Sequence, residues 1–168
     1  MITEVKRASK ADRIIIRNLS ELYLHDFSEL EDKDVNEHGL YDYDDLDLFW
    51  LDERRHAFLA RTNGKIAGFA LVKQGSYNER AGQDDEELVD MIDFFVLRKY
   101  RRRGVGWEMA RYCFMDVPGR WQVRTDTYNP VALAFWRSAV DRFTRGAYET
   151  LSEGTGVTFY FVSGEAAS

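Results

Sequence analysis

The chain holds one cysteine, Cys113, among 168 residues, so no internal disulfide can form and a disulfide-stapled secreted scaffold is excluded. Prolines number only two, Pro118 and Pro130, and no repeat, linker or low-complexity tract interrupts the sequence. No apolar run approaches the roughly 18 residues of a membrane span. The opening MITEVKRASKADR lacks the apolar segment of a secretory signal, so a soluble cytoplasmic protein with no membrane partner is expected. Basic residues are outnumbered, 23 Lys and Arg against 29 Asp and Glu for a net charge of −6, which argues against nucleic acid as the main partner. What is present is 45% hydrophobic and 14% aromatic residues, enough to exclude general disorder. The length suits a single domain over residues 1–168, burying roughly 70% of the surface that the unfolded chain exposes.

The charge is unevenly placed. Twelve acids stand between Asp26 and Glu53, with Lys33 the one Lys or Arg among them. A second acidic run spans residues 84–93. The sign then reverses at Arg98, Lys99, Arg101, Arg102 and Arg103. An acidic run by itself reads as a solvated face, but the basic run leads directly into a glycine-containing turn.

Periodicity and turn residues divide the chain into elements. Ser9 caps a predicted helix to about residue 30, with Ile15, Leu19, Leu22 and Tyr23 at helical spacing. Residues 31–50 read as an acidic, aromatic loop with a short helix. Strands are expected at 56–61 and 65–73, joined by an Asn63-Gly64 hairpin turn. A polar loop over 75–84 leads to a strand at 91–97, and a helix follows over 104–114, ended by Pro118-Gly119. A strand at 121–127, a helix opened by Pro130 and running to about 143, and strands at 147–151 and 157–162 complete the order. An early hairpin followed by a strand–helix–strand crossover predicts a mixed α/β fold, a mixed sheet with helices on its faces.

The chemistry-bearing segment runs from Phe94 to Gly106. A buried strand enters a basic turn that opens a helix, where free backbone N–H groups and the helix dipole suit a phosphate or pyrophosphate. A P-loop is excluded because Trp107 follows Gly106. A dinucleotide fingerprint is disfavoured because Met109 occupies its third glycine position. What remains is Arg101-x-x-Gly104-x-Gly106 after a strand, accompanied downstream by Asn129-x-x-Ala132-x-x-Phe135-Trp136.

With those two motifs one helix and one strand apart, the whole chain resembles the GNAT superfamily of acetyl-CoA-dependent N-acyltransferases. The resemblance implies a central mixed, mostly antiparallel sheet flanked by helices, with acetyl-CoA as co-substrate and no metal. It implies that backbone amides of Phe95, Val96 and Leu97 bind the pantetheine arm. Amides of Arg102, Arg103, Gly104, Val105, Gly106 and Trp107 would hold the pyrophosphate, with the Arg101 and Arg102 side chains nearby. Arg98 or Lys99 would be within reach of the 3′-phosphate. Asn129, Phe135 and Trp136 complete the implied cofactor side, with a plain helix cap as the other reading of Asn129. On this reading Gly106→Glu abolishes cofactor binding and spares the fold. A homodimer is compatible with the family.

One departure stands out. The family often places a tyrosine after the phenylalanine of the second motif, to protonate the departing thiolate, and this chain has Trp136 there. An indole N–H donates a hydrogen bond but no proton at neutral pH. Tyr128, Tyr148 and Tyr160 are the substitute hydroxyls, and a non-catalytic acyl-CoA-binding sensor or scaffold is the competing function. The resemblance also implies a carboxylate base on the strand before the turn, for which Asp90 and Asp93 are the candidates. Three residues apart on a regular strand, they are expected on opposite faces, so only one can serve. Asp93, inside an apolar run, needs either a partner or a raised pKa. The acceptor wall would fall on residues 37–53, where Tyr41, Tyr43, Asp44 and Asp45 favour a cationic amine by charge and cation–π contact. Scattered histidines and a lone cysteine give no metal-ligand spacing.

Overall fold

The computed structural model describes residues 1–164. Seven strands form one sheet in the order β1-β2-β3-β4-β5-β7-β6. They are β1 (Thr3–Arg7), β2 (Arg55–Thr62), β3 (Lys65–Asn78), β4 (Gln83–Val96), β5 (Gly119–Asp126), β6 (Glu149–Glu153) and β7 (Gly156–Ser163). The helices are α1 (Arg13–Phe27), the short α2 (Leu48–Leu51), α3 (Val105–Asp116) and α4 (Pro130–Thr144). Every neighbouring pair is antiparallel except β4–β5, which is parallel. The mixed, mostly antiparallel sheet is therefore as the sequence leads one to expect.

Two differences from the sequence reading concern strands. Thr3–Arg7 is an edge strand paired with β2, although its polar alternation carries little apolar signal. The expected polar loop over 75–84 is the far part of a long β3–β4 hairpin, whose turn covers only residues 79–82. There Ser76, Tyr77 and Asn78 pair with Asp85, Asp84 and Gln83. Cross-strand pairing, rather than burial, holds this polar ribbon together.

The sheet separates two apolar cores. On one face, α3 and α4 bury Val105, Met109, Phe114, Trp136 and Val140 against Phe58, Val72, Met91, Trp121 and Phe159. On the other, α1 and α2 bury Ile16, Leu19, Tyr23 and Phe49 against Leu59, Phe69, Leu71 and Phe95. Spacings of three and four place Ile16, Leu19 and Tyr23 on one stripe of α1.

Two irregularities shape the centre. The parallel β4–β5 ladder covers only Leu88, Val89 and Asp90 against Arg120, Trp121 and Gln122. Beyond it the strands part, because β4 continues with β3 to Val96 while β5 continues with β7 to Asp126. The second irregularity is a bulge in β4. Leu71 pairs with Asp93 and Val72 with Met91, leaving Ile92 as the extra residue. Asp93 shares a face with Leu71, Asp90 shares one with Lys73, and Leu71 and Lys73 are two residues apart on β3. Asp90 and Asp93 therefore lie on the same face, and the expectation of opposite faces is corrected by the bulge.

Candidate active site

The strand-to-helix turn is built by backbone conformation. Leu97 is followed by a single 3₁₀ turn, Arg98–Tyr100, and Tyr100 is buried. Arg102 and Gly104 both have positive φ, 59° and 83°, so the chain reverses tightly into α3. The first intrahelical bond there is from the Glu108 N–H to the Gly104 carbonyl at 3.0 Å. The N–H groups of Val105, Gly106 and Trp107 precede it and have no helical partner. The side chains of Arg102 and Arg103 are exposed beside them. This cluster of donors and positive charge suits a pyrophosphate.

The open edge of β4 adds to it. Leu97 donates its N–H to the Ala67 carbonyl on β3 at 2.9 Å, so that amide is occupied. A trans peptide turns the Val96 carbonyl the opposite way, toward the gap between β4 and β5. Arg101 Nε donates to that carbonyl at 2.8 Å. Alternation gives Phe95 the orientation of Leu97, while Phe94 and Val96 face the gap. Of Phe95, Val96 and Leu97, then, Val96 is the one whose N–H is presented to a ligand lying in the gap.

The basic side chains divide into tied and free. Asp26 on α1 accepts from Arg98 Nη2 at 2.7 Å and Arg101 Nη2 at 2.6 Å. Burial pushes the Asp26 carboxyl up, but the Arg101 and Arg98 bonds and charges outweigh it and hold the carboxyl below the ordinary range. Arg101 is thus turned back onto β4 and α1 instead of toward the turn. The Lys99 ammonium sits 5.5 Å from the Tyr100 ring centroid.

Under the turn lies an aromatic cluster. Phe94 stacks on Phe135 at 5.4 Å and meets Trp136 edge-on at 4.8 Å. Trp136 is buried among Phe94, Phe114 and Phe135. A Cβ on Gly106 would come within 2.9 Å of Phe135. A side chain at Gly106 therefore presses on that ring, and Gly106→Glu, expected from sequence to spare the fold, needs Phe135 to shift. Asn129 accepts the Ala132 N–H at 3.2 Å as the cap of α4.

On the opposite face, Asp93 is gripped by two phenols. Tyr23 on α1 donates to Oδ1 at 2.5 Å, and Tyr43, from the loop before α2, donates to Oδ2. Burial pushes the Asp93 carboxyl up, and the two phenolic bonds pull it back only in part. The same burial and the Asp93 charge push both phenols far above their ordinary value. Asp93, Tyr23 and Tyr43 line a cavity of about 210 Å³ with Glu31 and Lys33. Glu31 also raises the pKa of the exposed Tyr128 hydroxyl, after partial desolvation and the neighbouring Asp126.

Asp90 lies further back along β4 on the same face. It accepts from Ser76 Oγ at 2.8 Å and Gln122 Nε2 at 3.0 Å, and burial pushes its carboxyl up against those bonds. Tyr160 accepts the Arg80 N–H at 2.9 Å, with the Arg80 guanidinium 4.3 Å from its ring centroid. Tyr148 packs on Phe159. Cys113 is fully buried, which pushes its thiol well up and leaves it inert. Among the described residues no His, Cys, Asp or Glu cluster of metal-binding size is found.

Of the four acceptor-wall residues expected from sequence, the structure brings Tyr43 to the cavity. Tyr41 lies to the side, its N–H donating to Glu21 at 2.7 Å, and Asp44 and Asp45 are exposed. Asp45 is a turn residue with φ 58°. From sequence, Tyr23 reads as one residue of a helical stripe, and Asp26, Glu31 and Lys33 read as parts of a charge run with no site role. The available signal was that a tyrosine hydroxyl on a buried stripe must find a polar partner, and Asp93 was a buried carboxylate in need of one.

Comparison with known proteins bears on this geometry. No curated protein sequence matches the chain. Among solved structures, the chain is similar to an acetyltransferase from Thermus thermophilus, at 18% identity and a TM-score of 0.67, covering 96% of this chain and 97% of that one. It is similar to the PaiA N-acetyltransferase from Thermoplasma acidophilum in complex with coenzyme A, at 9% identity and a TM-score of 0.63, covering 96% and 99%. It is also similar to an aminoglycoside acetyltransferase from an uncultured soil metagenomic sample in complex with sisomicin, at 17% identity and a TM-score of 0.61, covering 90% and 93%. At these identities the likeness is one of fold. The model of the acetyltransferase (GNAT) family matches residues 16–139, from α1 through most of α4, and the chain belongs to that family.

Proposed function

We propose that the protein is an acetyl-CoA-dependent N-acetyltransferase that passes the acetyl group directly to a primary amine on a cationic acceptor. The observation that carries this reading is Asp93, a half-buried carboxylate held by Tyr23 and Tyr43 and three residues before Val96 on the open edge of β4. Along a strand that separation is about 10 Å, the scale on which a thioester carbonyl lying along the gap meets an amine in the cavity. The free amides of Val105, Gly106 and Trp107, with Arg102 and Arg103, suit the pyrophosphate, and the Val96 N–H suits the pantetheine arm.

Asp93 takes the proton that an alkylammonium must shed before it attacks. The raised pKa of its carboxyl makes it a better base than an ordinary aspartate, while the two phenols hold its orientation. Glu31 beside it favours a positively charged acceptor. The thiolate leaves with the low basicity of a thiol of pKa about 8.5, and Tyr128, an exposed hydroxyl beside Asp126, is the one proposed to protonate it.

Purified protein given acetyl-CoA and a panel of primary amines should release thiol fastest with amines carrying a second positive charge. Tight CoA binding with no thiol release from any amine would favour the non-catalytic acyl-CoA-binding reading, for which the burial of Trp136 at the usual tyrosine position is the supporting observation.

A further inference from the structure

Lys33 is one of six lysines in the chain and the one Lys or Arg between Asp26 and Glu53. It lines the same cavity as Asp93, Tyr23, Tyr43 and Glu31. Among the described residues it forms neither a hydrogen bond nor an ion pair, although two carboxylates share the cavity with it. The other lysines lie elsewhere. Lys73 pairs with Asp90 in the β3–β4 ladder, Lys99 sits on Tyr100 at the turn, and Lys6, Lys10 and Lys65 belong to the β1 side of the sheet and the β2–β3 hairpin.

We propose that Lys33 is a self-acetylation site. When no external amine fills the cavity, its ε-amino group acts as the acceptor. This rests on the acetyltransferase reading above and extends it to a substrate carried by the chain itself. In the step, Lys33 Nζ attacks the thioester carbonyl carbon, a C–N bond forms and the C–S bond breaks. Asp93 takes one proton from the Nζ ammonium before attack, and the second N–H proton, released as the tetrahedral intermediate collapses, goes to the CoA thiolate, which leaves as the thiol. The net change is acetyl-CoA plus lysine to acetyl-lysine plus CoA, with no oxidant and no further reactant. Placing the nucleophile in the same cavity as its base replaces a bimolecular encounter with an intramolecular one. Acetyl-Lys33 loses its charge and fills space that an external amine would use, so the modification slows later turnover.

The test is incubation of the intact protein with a fixed, saturating concentration of acetyl-CoA and no amine, read by intact mass and peptide mapping. One acetyl group should appear, on Lys33, with a half-time unchanged over a roughly tenfold dilution of the protein, as an intramolecular step requires. Lys33→Arg should leave that peptide unmodified, and Asp93→Asn should slow the labelling by at least about tenfold. Labelling on another lysine, equal labelling in Asp93→Asn, or a rate proportional to protein concentration would each overturn the proposal. Turnover of an external amine by protein whose Lys33 stays unmodified in the amine-free incubation would sink this inference and leave the enzyme reading standing. Binding of CoA with neither amine turnover nor Lys33 labelling would sink both.

Discussion

The two faces of β4 hold the same stretch of chain in opposite ways. Toward α3 and α4, Met91, Phe94 and Val96 meet an apolar and aromatic layer in which Phe135 and Trp136 fix the helices and, through Gly106, the turn. Toward α1, Asp90, Asp93 and Phe95 alternate charge with apolar packing, and each carboxylate has its own polar partners. One face supplies rigidity for a turn that works through backbone groups. The other accepts buried charge, a destabilising choice that is the mark of a site, and on the proposed reading supplies the base. The difference separates stability from chemistry, and substitutions on the two faces should behave accordingly.

The largest effect is expected from Asp93→Asn. An amide can accept from one phenol and donate to the other, so the cavity keeps its shape and loses only its base. kcat/KM for amine acetylation should fall about 10²- to 10⁴-fold with little change in CoA affinity. The pH dependence follows from the direction of the Asp93 shift. The wild-type rate should fall as pH drops through the raised carboxyl pKa, because the base becomes protonated, and the residual rate of the variant should lack that limb. Stability moves the other way. The folded state binds the Asp93 proton more tightly than the unfolded state, so stability is lost as pH rises from the ordinary aspartate value through the raised one. Above that window Asp93→Asn should unfold at no lower temperature than the wild type. A variant that is inactive and also clearly less stable at pH 8 would mean that Asp93 is structural, and the contrast between the faces would collapse.

Gly106→Ala probes the other face. The added methyl would lie 2.9 Å from Phe135, and that ring, stacked on Phe94, must shift to admit it. Overpacking costs about 1–3 kcal/mol, and the better helix propensity of alanine recovers up to about 1 kcal/mol. A net loss of about 1–2 kcal/mol in denaturant unfolding is expected, together with weaker CoA binding as the α3 amides shift. Weaker CoA binding at unchanged stability would instead mean that the glycine serves direct approach of the ligand and not helix packing.

The cofactor turn was legible because it is contiguous. Arg101 to Gly106 is one stretch whose glycine and charge pattern carries its own physical meaning, and the strand and helix around it follow from periodicity. The base side draws Tyr23, Tyr43 and Asp93 from three distant segments, and no local pattern couples them. Its geometry also turns on the extra residue Ile92, and a bulge leaves no mark in an alternating apolar run, so Asp90 and Asp93 read as opposed when they are neighbours. The far half of the β3–β4 hairpin was hidden for a related reason. Its strand character comes from pairing between polar residues and not from burial. Arg101 marks the limit even within the turn, since a motif arginine is read as facing the ligand and its clasp on Asp26 depends on where α1 ends.

The smallest effects should come from the acids that the sequence puts forward most strongly. Asp44 and Asp45 stand in a run of carboxylates beside two tyrosines, yet both are exposed, and Asp45 is committed to a turn. Charges held in solvent and not in the cavity lining are weakened by water and salt. The Asp44→Asn, Asp45→Asn double variant should therefore change the acceptor KM by less than about twofold, with kcat unchanged. Glu31 is a single acid in an equally acidic stretch, but it lines the cavity with Asp93. Glu31→Gln should raise KM for a cationic amine by about threefold to tenfold, an effect that shrinks with added salt and is absent for a neutral amine. A larger loss from the Asp44 and Asp45 pair than from Glu31 would move the acceptor out of the cavity and over the loop. In that event the local density of charge would outweigh its placement, and the acceptor side would prove as readable from contiguous sequence as the cofactor turn.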